Sequence, residues 1–162
     1  MNATSERTTA DAALGFDDLE IGQSWESADR LVTHDDVMAF GDLTGDCNPI
    51  HMDPEYARKT PYRRPVAHGL LGVGIASGLM LSASRVKMIA FLEIRRWEFL
   101  LPIFPGDRIR TVTTVMAKEP RGRGRRGEVV WQLSVLNQDN HVVQRSETVT
   151  LVGAVAKGDA AE

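Results

Sequence analysis

A carboxylate and an imidazole lie five residues apart in a proline-containing segment of the chain. Asp46 and His51 flank Asn48 and Pro49, and a loop of this kind can bring both side chains to one water molecule. Such a pair can remove a proton from water and return it to another atom, which is general acid–base catalysis. The structural alternative is an aspartate that caps its own turn beside a solvent-exposed histidine, and this is the commoner outcome for an arbitrary Asp/His pair.

Local signals predict the helices that must position this segment. Thr33 with Asp36 is typical of a capping box, which predicts a helix that begins at Thr33 and ends just before the Asp/His segment. An aspartate followed by a proline favours a second, short helix over residues 54–59. The two candidate groups therefore fall in the irregular connection between these helices.

The second half of the chain is predicted to form strands. Hydrophobic residues there recur with a period of two, which is typical of half-buried strands. In the first of them the polar positions change phase between Arg95 and Arg96, which predicts a β-bulge. The predicted strands are residues 25–32, 88–101, 108–117, 128–136 and 142–152. The fold class that follows is α+β, an antiparallel sheet around one long helix.

The long helix is predicted from a stretch without formal charge. The 19 residues between Pro65 and Arg85 include 11 apolar residues and 4 glycines. Their number would allow a membrane span, but the polar content favours a helix buried on nearly all sides in a soluble core. Because each glycine inside a helix costs about 1 kcal/mol relative to alanine, the four glycines indicate that a sheet or a ligand approaches this helix closely.

A wider resemblance surrounds the Asp/His segment. Residues 45–51 read Gly-Asp-Cys-Asn-Pro-Ile-His, and an Ala-His-Gly sequence follows at residues 67–69. With weaker matches across most of residues 16–152, these motifs resemble the (R)-specific enoyl-CoA hydratases of the MaoC-like dehydratase family. The resemblance implies the hotdog fold, in which an antiparallel sheet wraps one long central helix.

The resemblance also implies roles for individual residues. Asp46 and His51 correspond to the catalytic pair that holds and activates water, and Asn48 to a residue that orders their loop. Gly69 corresponds to the position whose backbone N–H binds the thioester carbonyl, and Ser77 to a residue of the acyl pocket. The role of Gly69 agrees with its predicted place at the start of the long helix, where free N–H groups favour negative charge.

The activity that the resemblance implies is that of a hydro-lyase. It would hydrate trans-2-enoyl thioesters or dehydrate (R)-3-hydroxyacyl thioesters, with no cofactor other than the CoA or acyl carrier protein of the substrate. The resemblance implies a homodimer as well. A hotdog acyl-thioesterase and a non-catalytic acyl-binding subunit remain as alternatives, since a fold does not fix a function.

Basic residues cluster between the predicted strands at residues 108–117 and 128–136. Residues 118–126 contain five basic residues and one acidic residue, and the common interpretation is a loop kept soluble by its charge. The functional interpretation makes Arg123, Arg125 and Arg126 contacts for CoA phosphates or an acidic carrier protein. Nucleic acid is not the expected partner, because 19 Lys and Arg against 22 Asp and Glu leave a net charge of −3.

The remaining features set bounds on the chain. One cysteine excludes an internal disulfide, and three histidines spaced seventeen residues apart, at 34, 51 and 68, predict no metal site. We expect a disordered leader over residues 1–13, one domain over 14–156 and a flexible tail over 157–162. The leader does not have the pattern of a secretion signal, so the expected location is the cytoplasm, without a membrane span.

Overall fold

Six strands form one antiparallel sheet in the part of the chain that the computed structural model describes, residues 13–122 and 126–155. The strands are β1 (Ser24–Glu26), β2 (Arg30–Leu31), β3 (Met88–Phe99), β4 (Arg108–Arg121), β5 (Arg126–Leu136) and β6 (Val142–Val152). The helices are α1 (His34–Thr44), α2 (Pro49–Met52), α3 (Pro54–Arg58) and α4 (Gly69–Ser84). The predicted leader and tail fall outside the described residues, apart from Ala13.

The sheet has the order β1-β4-β5-β6-β3, and β2 also pairs with β4. The alternation predicted for β5 is confirmed, since Val129, Trp131, Leu133 and Val135 are all buried. These four side chains share one face because successive residues of a strand point to opposite faces. The hydrophobic core therefore lies between this face of the sheet and the helices.

The structure confirms one of three further strand predictions and corrects the other two. The bulge in β3 is confirmed as register shifts at three points along its pairing with β6. The continuous strand predicted over residues 25–32 is wrong, because it is broken into β1 and β2 around Ser27. There the Ser27 hydroxyl accepts the backbone N–H of Thr111 at 2.9 Å, so a side chain replaces the carbonyl that would continue the ladder. β4 runs four residues beyond its predicted end, to Arg121.

Helix α4 presents one face to the core and one to solvent. Gly72, Ala76 and Met80 are buried against the core, whereas Leu70 is 65% exposed. The expectation of a helix buried on nearly all sides is therefore wrong, because the sheet of this chain covers only one side of it. No helix in the described ranges is long and apolar enough to cross a membrane.

Helix α1 begins as predicted. The side chain of Thr33 accepts the backbone N–H of Asp36 at 3.0 Å, and the Asp36 carboxylate accepts the backbone N–H of Thr33 at 2.7 Å. Partial burial raises the pKa of Asp36, but hydrogen bonds from Thr33 and Arg30 outweigh burial and hold that pKa below its usual value. The charged carboxylate thus stabilises the start of the helix that leads to the Asp/His segment.

Candidate active site

The Asp/His segment follows α1 directly. Gly45 ends this helix with a φ of 77°, a left-handed conformation that glycine adopts without strain. Asp46 comes next and is exposed, and its carboxylate accepts the backbone N–H of Asn48 in a long hydrogen bond of 3.4 Å. The local turn predicted by the structural alternative is therefore present, but it engages the carboxylate only weakly.

A single helical turn carries His51. The side chain of Asn48 accepts the backbone N–H of Ile50 at 3.2 Å and caps α2, which has Pro49 at its first position. The sequence predicted an irregular segment here, and α2 was missed because four residues are too few to show a helical period. The prediction for residues 54–59 is confirmed as α3, which ends at Arg58.

The tautomer of His51 is set by a backbone carbonyl. Its Nδ1 lies 2.7 Å from the carbonyl oxygen of Val66. A carbonyl oxygen can only accept, so Nδ1 carries the hydrogen and Nε2 keeps a lone pair. His51 is half-buried, and this arrangement gives it a nitrogen that can act as a base.

His68 contacts both members of the Asp46/His51 pair. It is 2% exposed, and its Nε2 lies 2.8 Å from the backbone oxygen of Asp46. Its ring stacks on that of His51 with 3.9 Å between centroids and lies 4.9 Å from that of Phe40. The structural hydrogen bond that a histidine before the long helix suggests is thus present, and it anchors the backbone of the candidate catalytic aspartate.

Asp46, His51 and His68 also form a cluster of possible metal ligands, which the sequence did not predict. Ligand atoms of Asp46, His51 and His68 all lie within 4.8 Å of one another, so the inference from histidine spacing was wrong about their separation. However, a metal must lie in the plane of each imidazole that binds it, and the two stacked rings are only 32° apart. One nitrogen of each ring already bonds a backbone carbonyl. We therefore keep the prediction that the cluster works without a metal.

A cavity of about 210 Å³ adjoins the start of α4. Gly69 is the first residue of this helix, and the N–H groups of a first helical turn have no acceptor within the helix. The close approach predicted for the four helix glycines is found at Gly69 and Gly72 only. A Cβ on Gly69 would lie 2.8 Å from Cε1 of Phe99, whereas a Cβ on Gly74 or Gly78 would meet nothing within 4 Å. The cavity walls include His68, Gly69, Phe99, Leu101, Ile103 and Gln144. His68 thus lies in the cavity wall and also contacts Asp46 and His51.

The other predicted site residues are not brought to this cavity. Ser77 lies two turns along α4 from Gly69, about 12 Å at the rise of an α-helix, and its hydroxyl donates to the carbonyl of Val73 at 3.1 Å. Arg126 begins β5, nine residues from the position that pairs with Gln144, which is about 30 Å along a strand. Within one protomer Arg126 is therefore not beside Gly69. Arg123 and Arg125 lie outside the described residues.

Sequence reasoning gave no site role to three residues that the structure places here. His68 had a local signal, since it stands directly before Gly69 in the Ala-His-Gly motif. Val66 contributes only a backbone carbonyl, which no residue type encodes. Gln144 reaches Gly69 across 75 positions of the chain, so only the folded sheet brings them together.

Comparison with known proteins agrees with this fold. The chain resembles a conserved hypothetical protein of Mycobacterium tuberculosis that has a double hotdog fold, with a TM-score of 0.78 and 20% identity over 90% of this chain and 46% of that one. A sheet wrapped around a central helix is the hotdog arrangement. The predicted hotdog fold is therefore confirmed.

The sequence comparisons identify the family. The model of the MaoC like domain matches residues 18–136. The 3-hydroxybutyryl-CoA dehydratase of Methylorubrum extorquens is 39% identical over 110 residues, 68% of this chain and 69% of that protein. The (R)-specific enoyl-CoA hydratase of Aeromonas caviae is 35% identical over 99 residues, 61% of this chain and 72% of that protein. The chain belongs to the MaoC-like dehydratase family, as predicted.

Proposed function

We propose that this chain catalyses the reversible addition of water to trans-2-enoyl thioesters to form (R)-3-hydroxyacyl thioesters, which makes it a hydro-lyase. The observation that carries the proposal is the convergence of Asp46 and His51, with the Nδ1 hydrogen of His51 committed to Val66 and Nε2 left as a base. The names of the dehydratase and hydratase relatives support the same reaction.

The proposed reaction gives each of these groups one step. His51 Nε2 removes a proton from a water molecule held at the Asp46 carboxylate, and the water oxygen forms a bond to the β-carbon. The electrons of the double bond move toward the thioester oxygen, where the backbone N–H of Gly69 stabilises the developing charge. The Asp46/His51 pair then returns the proton to the α-carbon on the same face, so the substrate gains one water in a syn addition.

The substrate itself supplies everything else that the reaction needs. The thioester is carried on CoA or on an acyl carrier protein, and the proton taken from water is the one returned to carbon, so no separate cofactor is consumed.

Two other functions use the same fold: hydrolysis of the thioester and simple binding of an acyl chain. Simple binding would leave the Asp46/His51 pair without a role, and hydrolysis would direct the activated water to the thioester carbonyl instead of the β-carbon.

One assay separates the three functions. Purified protein is incubated with crotonyl-CoA while the enoyl-thioester absorbance and the free thiol are measured together. Hydration predicts loss of the enoyl absorbance without release of thiol. Release of thiol in step with that loss would instead show a thioesterase, and binding without either change would show a non-catalytic subunit.

The edge of the sheet supports the homodimer. β3 is a 12-residue edge strand that pairs with β6 on one side, and its exposed apolar side chains are Ile89, Phe91, Leu92, Ile94 and Phe99. A long apolar edge exposed in this way promotes association with another chain. We therefore propose that two copies pair along β3.

A mass measurement tests this pairing. We expect light scattering to give twice the mass of one chain for the wild-type protein and one chain mass for Ile94→Lys. The control is Ile21→Lys, since Ile21 is also exposed, at 67% against 48% for Ile94, but lies outside the strands. A monomeric wild-type protein, or a dimeric Ile94→Lys variant, would contradict pairing along this strand.

His68 offers a further prediction, because it touches both catalytic candidates. His68→Phe keeps a ring against His51 but loses the donor to the Asp46 carbonyl, whereas His68→Gln keeps an amide donor and loses the stack. We expect His68→Phe to lower kcat for crotonyl-CoA about tenfold or more with little change in KM, since the aspartate loop loses its anchor. Partial recovery in His68→Gln is expected, and wild-type kcat in both variants would show that neither contact matters.

A further inference from the structure

A buried amide reaches the backbone of Gly69 from the last strand of the sheet. The Nε2 of Gln144 on β6 donates a hydrogen bond to the carbonyl oxygen of Gly69 at 3.1 Å. Gln144 is 2% exposed and lies on the wall of the cavity beside Gly69. This hydrogen bond therefore ties the first turn of α4 to the sheet.

The amide of Gln144 is itself held in one orientation. Its Oε1 accepts the indole N–H of Trp97, on the neighbouring strand β3, at 3.2 Å. If the amide were rotated by half a turn, its NH2 group would face the indole N–H and its oxygen would face the Gly69 carbonyl, and both hydrogen bonds would be lost. Trp97 thus determines which end of the amide reaches Gly69.

Helix α4 leaves room for this amide at one position. A Cβ on Gly72 would lie 2.4 Å from Nε2 of Gln144, closer than two unbonded atoms can approach. Only glycine at this position lets the side chain of Gln144 lie over the helix. Gly72, Trp97 and Gln144 therefore fit together as one set around the carbonyl of Gly69.

Gly69 needs such support because it has no side chain to fix its backbone. The ring of Phe99 packs against the Cα of Gly69, since an added Cβ would lie only 2.8 Å from Cε1 of that ring. Gln144 holds the carbonyl of Gly69. We propose that Gln144 is a positioning residue that keeps Gly69 in the conformation whose N–H binds the thioester carbonyl. The inference rests on the proposed hydration function and assigns it a further residue.

The kinetic test compares Gln144→Met with Thr148→Val. Methionine matches the length of glutamine but cannot donate a hydrogen bond. Thr148 is 1% exposed on the same face of β6, and its hydroxyl has no partner among the described residues, so valine there removes a buried polar group that holds nothing. With crotonyl-CoA we expect Gln144→Met to lower kcat about tenfold or more and to change KM by less than about threefold. Thr148→Val should keep both constants.

A spectroscopic readout separates positioning from general stability. Crotonyl-CoA labelled with carbon-13 at the thioester carbonyl is bound to the Asp46→Asn variant, in which the enoyl thioester persists. With Gln144 present, we expect the carbonyl stretch to move to lower frequency than in solution, because the N–H of Gly69 polarises the bond. Adding Gln144→Met should return the stretch toward the solution value, and adding Thr148→Val should leave it shifted.

Gly72→Ala provides an independent perturbation should Gln144→Met not fold. The new Cβ displaces the amide of Gln144, while alanine is the better helix former. Gly78→Ala is the matched control on the same helix, since a Cβ there meets nothing within 4 Å. We expect folded Gly72→Ala to show a lower kcat and a carbonyl stretch closer to the solution value, and Gly78→Ala to keep the wild-type values of both.

The outcomes distinguish this inference from the function on which it rests. Wild-type hydration with kcat and carbonyl frequency unchanged in Gln144→Met or Gly72→Ala would overturn the role of Gln144 alone. A wild-type chain that neither hydrates crotonyl-CoA nor shifts its carbonyl would overturn the proposed function and this inference together.

Discussion

His51→Ala and Asp46→Asn are each expected to lower the hydration rate of crotonyl-CoA by about 10²-fold or more, because each removes one half of the acid–base pair. The kcat of each purified variant measures the loss of activity, and its melting curve shows whether the variant is folded. Since the two residues act on one water molecule, the double variant should lose little beyond either single variant. Additive losses would mean that the two residues act in separate steps.

The control for this prediction is His141→Ala. His141 is exposed in the hairpin between β5 and β6, so its removal takes away an imidazole without touching the candidate site. We expect wild-type kcat in this variant. Folded Asp46→Asn or His51→Ala protein with full activity would refute the assignment of the pair.

The second large effect is expected at Gly69. A Cβ on this residue would lie 2.8 Å from Cε1 of Phe99, and Phe99 is 55% exposed, so its ring can move and the protein should still fold. Because Phe99 lines the cavity beside Gly69, the displaced ring would keep the thioester oxygen from reaching the backbone N–H. We expect Gly69→Ala to lower kcat about 10²-fold, the usual cost of losing one such donor.

Gly78→Ala is the control for this substitution as well, because it makes the same change on the same helix in open space. Its kcat should equal that of the wild-type protein. A Gly69→Ala variant with kcat within about twofold of wild type would show that this N–H contributes no transition-state stabilisation.

The elements that sequence predicts correctly are those decided by neighbouring residues. The start of α1 depends on Thr33 and Asp36, three positions apart, and the pair is found with both of its hydrogen bonds. The alternation in β5 depends on residues two apart, and it determines which side chains form the core. The bulge in β3 is visible for the same reason, since a change of phase is a local event.

The features that sequence does not predict depend on distant contacts or on faces that composition does not mark. Helix α4 is apolar on all sides, so nothing in its sequence shows that the face with Leu70 is left uncovered. His68 and Asp46 meet across 22 residues, and Gln144 meets Gly69 across 75. The motif identifies the catalytic candidates, whereas the groups that hold them come from the packing of the whole chain.

The stereochemistry of hydration tests the central claim most directly. Crotonyl-CoA is incubated with the purified protein in deuterated water, and the configuration of the 3-hydroxybutyryl product is determined at both carbons. Addition of water by one acid–base pair on one face predicts deuterium added syn to the hydroxyl, and the proposed (R) specificity predicts the (R)-3-hydroxy product. His51→Ala should form this product about 10²-fold more slowly. An (S) product, anti addition, or equal turnover by His51→Ala would contradict it.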